Sequence, residues 1–261
     1  MIYFNHKIVW ITGASSGIGE ALAFLCNKYG ATVILSARNS EELNRVQQSF
    51  ENKNAASHIL PLDLEHSANF EIATKEVIEK FGKIDILINN AGISQRALAI
   101  ETSTAEERKI FEINVMGTIA LTKAVLPFML AKKTGQIVVI NSVMGKISTK
   151  YRSAYAASKH ALIGYFDCLR LELDNQIKIT TILPGFVNTN IVKNAVSTMQ
   201  LEQNLNQEGL SPIAFAEKAL KAIAAQKEEV YIGGFWEGLG LFLKRLSPTL
   251  FSIIIKRKKV V

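Results

Sequence analysis

Short apolar runs alternate with amphipathic stretches along most of the chain. Lys7 to Thr12, Thr32 to Ser36, His58 to Leu62, Ile84 to Ile88, Gln136 to Asn141 and Lys178 to Leu183 are rich in β-branched residues and lack polar alternation. They predict strands buried on both faces, with helices between them. Repeated β-α connection of this kind gives a parallel sheet covered by helices, an α/β, doubly wound architecture. A last helix near Pro212 to Gln226 and a short strand near Val230 to Ile232 complete the pattern. Residues 186 to 211 depart from it: they carry Phe186, Val187, Ile191, Val192, Val196, Met199 and Leu205 without strand alternation. A loop with short helices beside a ligand is expected there.

With 261 residues and 48% hydrophobic content, the chain is long enough for one large core, and no linker or repeat divides it. Residues 1–235 are expected to form one catalytic domain and 236–261 a tail. Cys26 and Cys168 both lie in helical patterns, so buried, reduced thiols and a cytoplasmic setting are expected. The first apolar run feeds directly into a glycine-rich turn, which reads as fold and not as a signal peptide. The net charge of +7 is uneven: Lys244, Arg245, Lys256, Arg257, Lys258 and Lys259 face only Glu237 in the tail, leaving +2 for the rest. Basicity confined to an apolar tail argues against a nucleic-acid partner, which needs a broad patch with stacking aromatics.

After the first strand comes Thr12-Gly13-Ala14-Ser15-Ser16-Gly17-Ile18-Gly19. Glycines permit a tight turn and close backbone approach, and the following helix offers unpaired N–H groups to a pyrophosphate. The second strand ends Ser36-Ala37-Arg38. An acidic residue near this point would take the ribose hydroxyls of NAD. Ala37 offers none, whereas the planar fork of Arg38 suits a 2′-phosphate, so NADP(H) is the expected cofactor.

Tyr155 and Lys159 stand four apart in a helical stretch, Ser153 to Leu173, and so share a face. An ammonium and a cationic nicotinamide nearby would favour the phenolate, making the tyrosine a usable acid/base. Tyr3 and Lys7 have the same spacing, so spacing alone does not carry the argument. Ser142 lies at the end of the strand that precedes the Tyr155 helix, where open parallel sheets place ligands. Its hydroxyl suits either a substrate carbonyl or the cap of a turn.

Together, Thr12 to Gly19, Asp63, Asn89-Asn90-Ala91-Gly92, Asn114, Ser142, Tyr155, Lys159 and Pro184-Gly185 resemble the ordered motif set of the short-chain dehydrogenase/reductase family over about residues 5–235. The resemblance implies a Rossmann-type fold, a parallel sheet of about seven strands with helices on both faces, and a nicotinamide cofactor. It implies that Tyr155 is the general acid for carbonyl reduction, that Ser142 polarises the carbonyl, that Lys159 lowers the tyrosine pKa and holds the nicotinamide ribose, and that Asn114 supports a water-mediated proton relay. It places the cofactor on Gly13, Ser15, Ser16, Gly17, Ile18, Gly19, Arg38, Asp63, Asn90, Ala91, Gly92, Pro184, Gly185, Val187 and Thr189, together with Tyr155 and Lys159. A homodimer or homotetramer through the helices around Thr104 to Ala131 and Ser153 to Leu173 is also implied. Read from the residues alone, Asp63 also suits the cap of a turn and Asn114 the satisfaction of backbone groups, though the order of the motifs beside the glycine loop favours the functional role.

His6, His58, His66 and His160 make no zinc-like spacing with Cys, Asp or Glu, and no metal is expected. Leu239, Phe242, Leu243, Leu246 and Leu250 fall on one side of a helical wheel and Ile253 to Ile255 precede the terminal basic residues. The apolar lengths are short of a bilayer span, so peripheral docking on an anionic membrane is expected, with burial over the substrate cleft or in an oligomer as alternatives. The reading is an oxidoreductase interconverting a carbonyl and an alcohol on a hydrophobic, lipid- or steroid-like molecule. The alternative is a non-catalytic NADP-binding, membrane-associated sensor or scaffold.

Overall fold

The computed structural model describes residues 1–189, 195–196 and 209–257. Ile191, Val192, Met199, Leu205, Lys258 and Lys259, named above, lie outside the described residues. Seven strands, β1 (Ile8–Thr12), β2 (Thr32–Ser36), β3 (Ser57–Ile59), β4 (Ile86–Asn89), β5 (Gln136–Ile140), β6 (Lys178–Pro184) and β7 (Glu229–Ile232), form one sheet in the order 3-2-1-4-5-6-7. Every pairing is parallel. The order reverses between β1 and β4, and that reversal opens a crevice at the carboxyl ends of the strands.

Helices are α1 (Gly17–Lys28), α2 (Ser40–Gln48), α3 (Phe70–Phe81), α4 (Thr104–Phe111), α5 (Thr118–Ala131), α6 (Ser153–Glu172), α7 (Pro212–Ala224), α8 (Phe235–Leu246) and α9 (Pro248–Arg257). Val9 and Ile11 of β1 join Leu22, Leu43 and Phe215 in the core beneath α1, α2 and α7, whereas Ile8 and Trp10 join Phe70, Leu121 and Phe166 beneath α3, α5 and α6. Ile86 and Ile88 of β4 alternate with Leu87 in the same way. Side chains in a strand alternate faces, and both faces here are covered, which is why the runs read as continuously apolar.

Departures from the sequence pattern have local causes. The third strand stops at Ile59 and does not reach Leu62. Leu60 and Leu62 still donate to Leu35 O and Ala37 O, but Leu60 O accepts from the Ser36 hydroxyl (2.6 Å), so a side chain takes the place of a rung of the ladder. The fourth begins at Ile86, not Ile84, because Asp85 receives the Ile8 N–H through its carboxylate (2.8 Å) and acts as a side-chain extension of the ladder. Cys26 is buried, and burial pushes its thiol well above the usual range. Cys168 corrects the expectation of two buried thiols: it is exposed, on the outer face of α6. The stretch Thr104–Ala131 is long and apolar enough to cross a membrane by length and composition. Half of its most apolar window is buried, and Leu121, Val125 and Met129 belong to the core.

The tail also departs from a one-sided helix. Leu241, Leu243, Phe251 and Ile255 pack inward on a cluster of Val143, Met144, Ile147, Tyr155 and Ala156. Phe242, Leu246 and Leu250, expected on the same face as Leu243, are exposed. The hairpin of α8 and α9 therefore has an apolar inner face over the Tyr155 region and a second apolar face turned outward.

Candidate active site

The glycine loop is shaped by contacts that exclude side chains. Gly13 and Gly17 take φ of +64° and +59°, in the left-handed region. A Cβ on Gly19 would fall 2.1 Å from Gly13 O, so α1 packs against the loop only with glycine there. Asn90 ties the loop to the end of β4 by donating from Nδ2 to Thr12 O (2.9 Å) and Gly13 O (3.2 Å), while Thr12 Oγ1 accepts from the Asn90 and Ala91 N–H groups. The N-cap Ser16 makes no side-chain cap bond, so the first N–H groups of α1 lack a side-chain cap. Unpaired donors at a helix N-terminus suit an anion.

A cavity of about 730 Å³ runs from this loop to Tyr155. Gly13, Ser15, Ser16, Gly17 and Ile18 line one end, with Arg38 and Asp63 beyond the end of β2; Asn90 to Gly92 line its middle; Ser142, Tyr155, Lys159, Pro184, Gly185, Val187 and Thr189 line the other end. Gly19 and Asn114 do not line it. Gly19 is the packing contact just described. Asn114 lies in a π-helical turn, Glu112–Gly117, between α4 and α5. Its Oδ1 accepts from Ile93 N (2.8 Å), and Nδ2 donates to Ile93 O (2.9 Å) and Ser158 Oγ (3.1 Å). The side chain thus satisfies backbone groups behind Gly92, whose added Cβ would meet Asn114 Oδ1 at 3.1 Å and Lys159 Nζ at 3.8 Å. Asp63 both lines the cavity and accepts from Glu65 N at 3.0 Å, the turn-capping role. Arg38 is exposed and makes no side-chain hydrogen bond or ion pair among the described residues.

Tyr155, Lys159 and Ser142 converge because α6 follows β5 and lies across its end. Ser142 caps the short turn Val143–Gly145, accepting from Met144 N (3.1 Å), and its hydroxyl lies close enough to the Tyr155 phenol to favour the phenolate. Lys159 Nζ lies 5.8 Å from the Tyr155 ring centroid and donates to Ile140 O at 3.3 Å. Burial pushes the Tyr155 phenol above its ordinary range and outweighs the downward pull of Arg152 and of the Ser142 hydroxyl. The expected lowering applies to a site holding a cationic nicotinamide beside the ammonium; in the fold by itself desolvation dominates, and Lys159 is pushed down to about 8 by burial. A buried, protonated phenol is the form that donates a proton.

Three contributors escaped the sequence reading. Arg45 of α2 donates to Glu20, Glu42 and Ser15 O, bracing the glycine loop from outside. Glu237 of α8 accepts from Phe186 N and Gly234 N, both at 2.7 Å, and ties the tail to the turn after Pro184-Gly185. Arg152, just before α6, has its Cζ 5.9 Å from the Tyr155 ring centroid. The partner that ties each to the site, Ser15 for Arg45, Phe186 for Glu237 and Ser94 for Arg152, is distant in sequence, so local spacing does not mark the role.

A family model described as short chain dehydrogenase matches residues 7–200. Dehydrogenase/reductase SDR family member 7 of Mus musculus is 42% identical over 255 residues, covering 94% of this chain and 75% of its own length. Dehydrogenase/reductase SDR family member 7B of Bos taurus is 38% identical, covering 95% and 80%. Among solved structures, a short-chain dehydrogenase from Streptomyces avermitilis superposes with a TM-score of 0.83 at 27% identity, covering 96% of each chain.

Proposed function

The chain belongs to the short-chain dehydrogenase/reductase family, whose members are carbonyl/alcohol oxidoreductases, and on that premise we propose that it uses NADPH to interconvert a carbonyl and an alcohol on a hydrophobic small molecule. The observation that carries this reading is one cavity holding an uncapped helix N-terminus at one end and Ser142 and Tyr155 beside Lys159 at the other. The glycine loop fits a pyrophosphate, Asp63 faces the adenine end, and Arg38 takes the 2′-phosphate in the absence of a ribose-binding acid at Ala37.

When bound, the dihydronicotinamide supplies a hydride. Ser142 holds the substrate carbonyl oxygen against Tyr155, whose proton passes to that oxygen as the alcohol forms. Lys159 stabilises the phenolate left behind and holds the nicotinamide ribose; with its pKa near 8 it both carries charge and gives up a proton near neutrality. Asn114 stands behind Lys159 in the relay, its side chain fixing Ile93 and Gly92. The apolar cluster of Val143, Met144, Ile147 and Phe251 supports a hydrophobic substrate body. The outward face of α8 and α9, with Phe235, Trp236, Phe242 and Leu246 exposed beside Lys244, Arg245 and Lys256, supports peripheral docking on an anionic membrane. Phe111, Met116 and Leu171, exposed on the α4, α5 and α6 side, support a homo-oligomer.

Parallel fluorescence titrations with NADPH and NADH test the cofactor assignment. Tighter binding of NADPH, reversed toward NADH in Arg38→Asp, is expected; an unchanged NADPH preference in that variant removes Arg38 from the role, and failure to bind either dinucleotide overturns the reading.

A further inference from the structure

Arg152 is placed with unusual care. Tyr151, immediately before it, is a non-glycine residue at φ +66°, a conformation that costs energy and persists only where the surroundings impose it. Those surroundings are the segment Ser94–Ala97: Ala97 N donates to Tyr151 O (3.1 Å), and Gln95 Oε1 accepts from Ala154 N (2.8 Å), pinning the start of α6. Arg152 Nη1 in turn donates to Ser94 Oγ at 2.8 Å. Arg96, on the same segment, brings a second positive charge close enough to lower the proton affinity of Arg152, adding to the effect of burial. A strained turn therefore brings a partly buried guanidinium to the Tyr155 ring, with like charge beside it.

Burying a guanidinium without a counter-ion is costly, and the group cannot escape by losing its proton. No carboxylate pairs with Arg152 among the described residues. Its N–H groups other than the one on Ser94 have no hydrogen-bond partner among the described residues. Arg152 is also absent from the lining of the dinucleotide cavity, so its charge is not committed to the cofactor. The Tyr155 ring meanwhile belongs to the apolar cluster under α8 and α9. The phenol thus has as neighbours an apolar wall and a cation that no carboxylate pairs among the described residues.

We propose that Arg152 binds an anionic group, a carboxylate or a phosphate monoester, carried by the substrate a few bonds from its reacting carbonyl, with Arg96 adding to the positive field. The substrate class is then an anionic amphiphile: an acid head at the Arg152 fork and an apolar body on the Val143, Met144 and Phe251 side. The remaining N–H groups of the fork can bind two oxygens of either a planar carboxylate or a tetrahedral phosphate. This specificity rests on the reductase reading of Tyr155, but anion binding is measurable without turnover.

The test is calorimetric titration of the NADPH-saturated full chain with unreactive octanoate, octyl phosphate and methyl octanoate. The expected result is that at least one anion binds tenfold or more tighter than the neutral ester, and the two anions identify which head group the site takes. Arg152→Gln, which retains a donor for Ser94, is expected to remove that advantage while leaving the ester unchanged; Arg152→Lys is expected to recover part of it. Equal binding of acid, phosphate and ester by the unmodified chain, which needs no variant to fold, overturns the proposal, as does an anion preference that survives Arg152→Gln. Anion binding that depends on Arg152, in a protein showing no Tyr155-dependent turnover, would uphold this site and sink the reductase reading instead.

Discussion

Replacing Lys159 by methionine should make the cofactor-free protein more stable while abolishing its chemistry. Lys159 is buried, and desolvation lowers its pKa from 10.5 to about 8. Each pKa unit corresponds to about 1.4 kcal/mol, so holding the ammonium inside the fold costs about 3 kcal/mol at pH 7. Methionine forfeits the hydrogen bond to Ile140 O, worth about 1 kcal/mol, leaving a net gain of about 2 kcal/mol. For a chain of this size that raises Tm by about 4–8 °C. The sign also fixes the pH dependence. The unfolded chain keeps the lysine proton up to its ordinary pKa, whereas the folded chain releases it near 8, so wild-type stability rises with pH between these values. The difference between variant and wild type should be full below pH 8 and shrink toward pH 10.5, other titrations cancelling between the two proteins. Paired denaturant melts from pH 6.5 to 10, without dinucleotide because ligand binding shifts stability by mass action, measure this directly. A variant no more stable than wild type at pH 7, or a difference that does not change with pH, would refute the burial argument.

Gly19→Ala should destabilise the chain by about 2 kcal/mol or more and weaken dinucleotide binding, since its Cβ would meet Gly13 O at 2.1 Å and the loop must move; melts and NADPH titration read both effects. Glu237→Gln keeps one acceptor oxygen but loses the charge that receives the Phe186 and Gly234 N–H groups; a loss of about 1–2 kcal/mol, with a weaker hold on the nicotinamide end of the cofactor, is expected from melts and binding assays. Phe242→Glu with Leu246→Glu, on the outward tail face, should lower sedimentation with anionic vesicles at least tenfold without changing stability; unchanged sedimentation would remove the membrane from the account.

The sheet is legible in the sequence because strands covered on both faces read as unbroken apolar runs, as Ile8 to Ile11 does. Its limits come from single residues, such as Ser36, whose hydroxyl takes Leu60 O beyond the end of β3. The glycine loop, Ser142, Tyr155 and Lys159 are legible because their spacing reflects local geometry, a turn or a helix face. The π-helical turn around Asn114 leaves no such mark, since it depends on Ile93 and Ser158 arriving from elsewhere. Glu237, Arg45 and Arg152 are hidden for the same reason: the contacts to Phe186, Ser15 and Ser94 that bring them to the site are set by tertiary packing. Helical periodicity likewise located Cys168 on a helix without deciding whether it faces the core. For Tyr155, the nearby lysine and a cationic nicotinamide argue for a lowered pKa, whereas in the fold by itself burial raises the phenol, an effect that spacing along the chain does not reveal.

The central claim, that Tyr155 donates the proton accompanying hydride transfer, is tested most directly by NADPH oxidation at saturating cofactor by wild type and Tyr155→Phe, across a panel of hydrophobic carbonyl compounds. The account predicts turnover by wild type and a loss of about 100-fold or more in the variant with NADPH affinity unchanged. Turnover by Tyr155→Phe at the wild-type rate would contradict it.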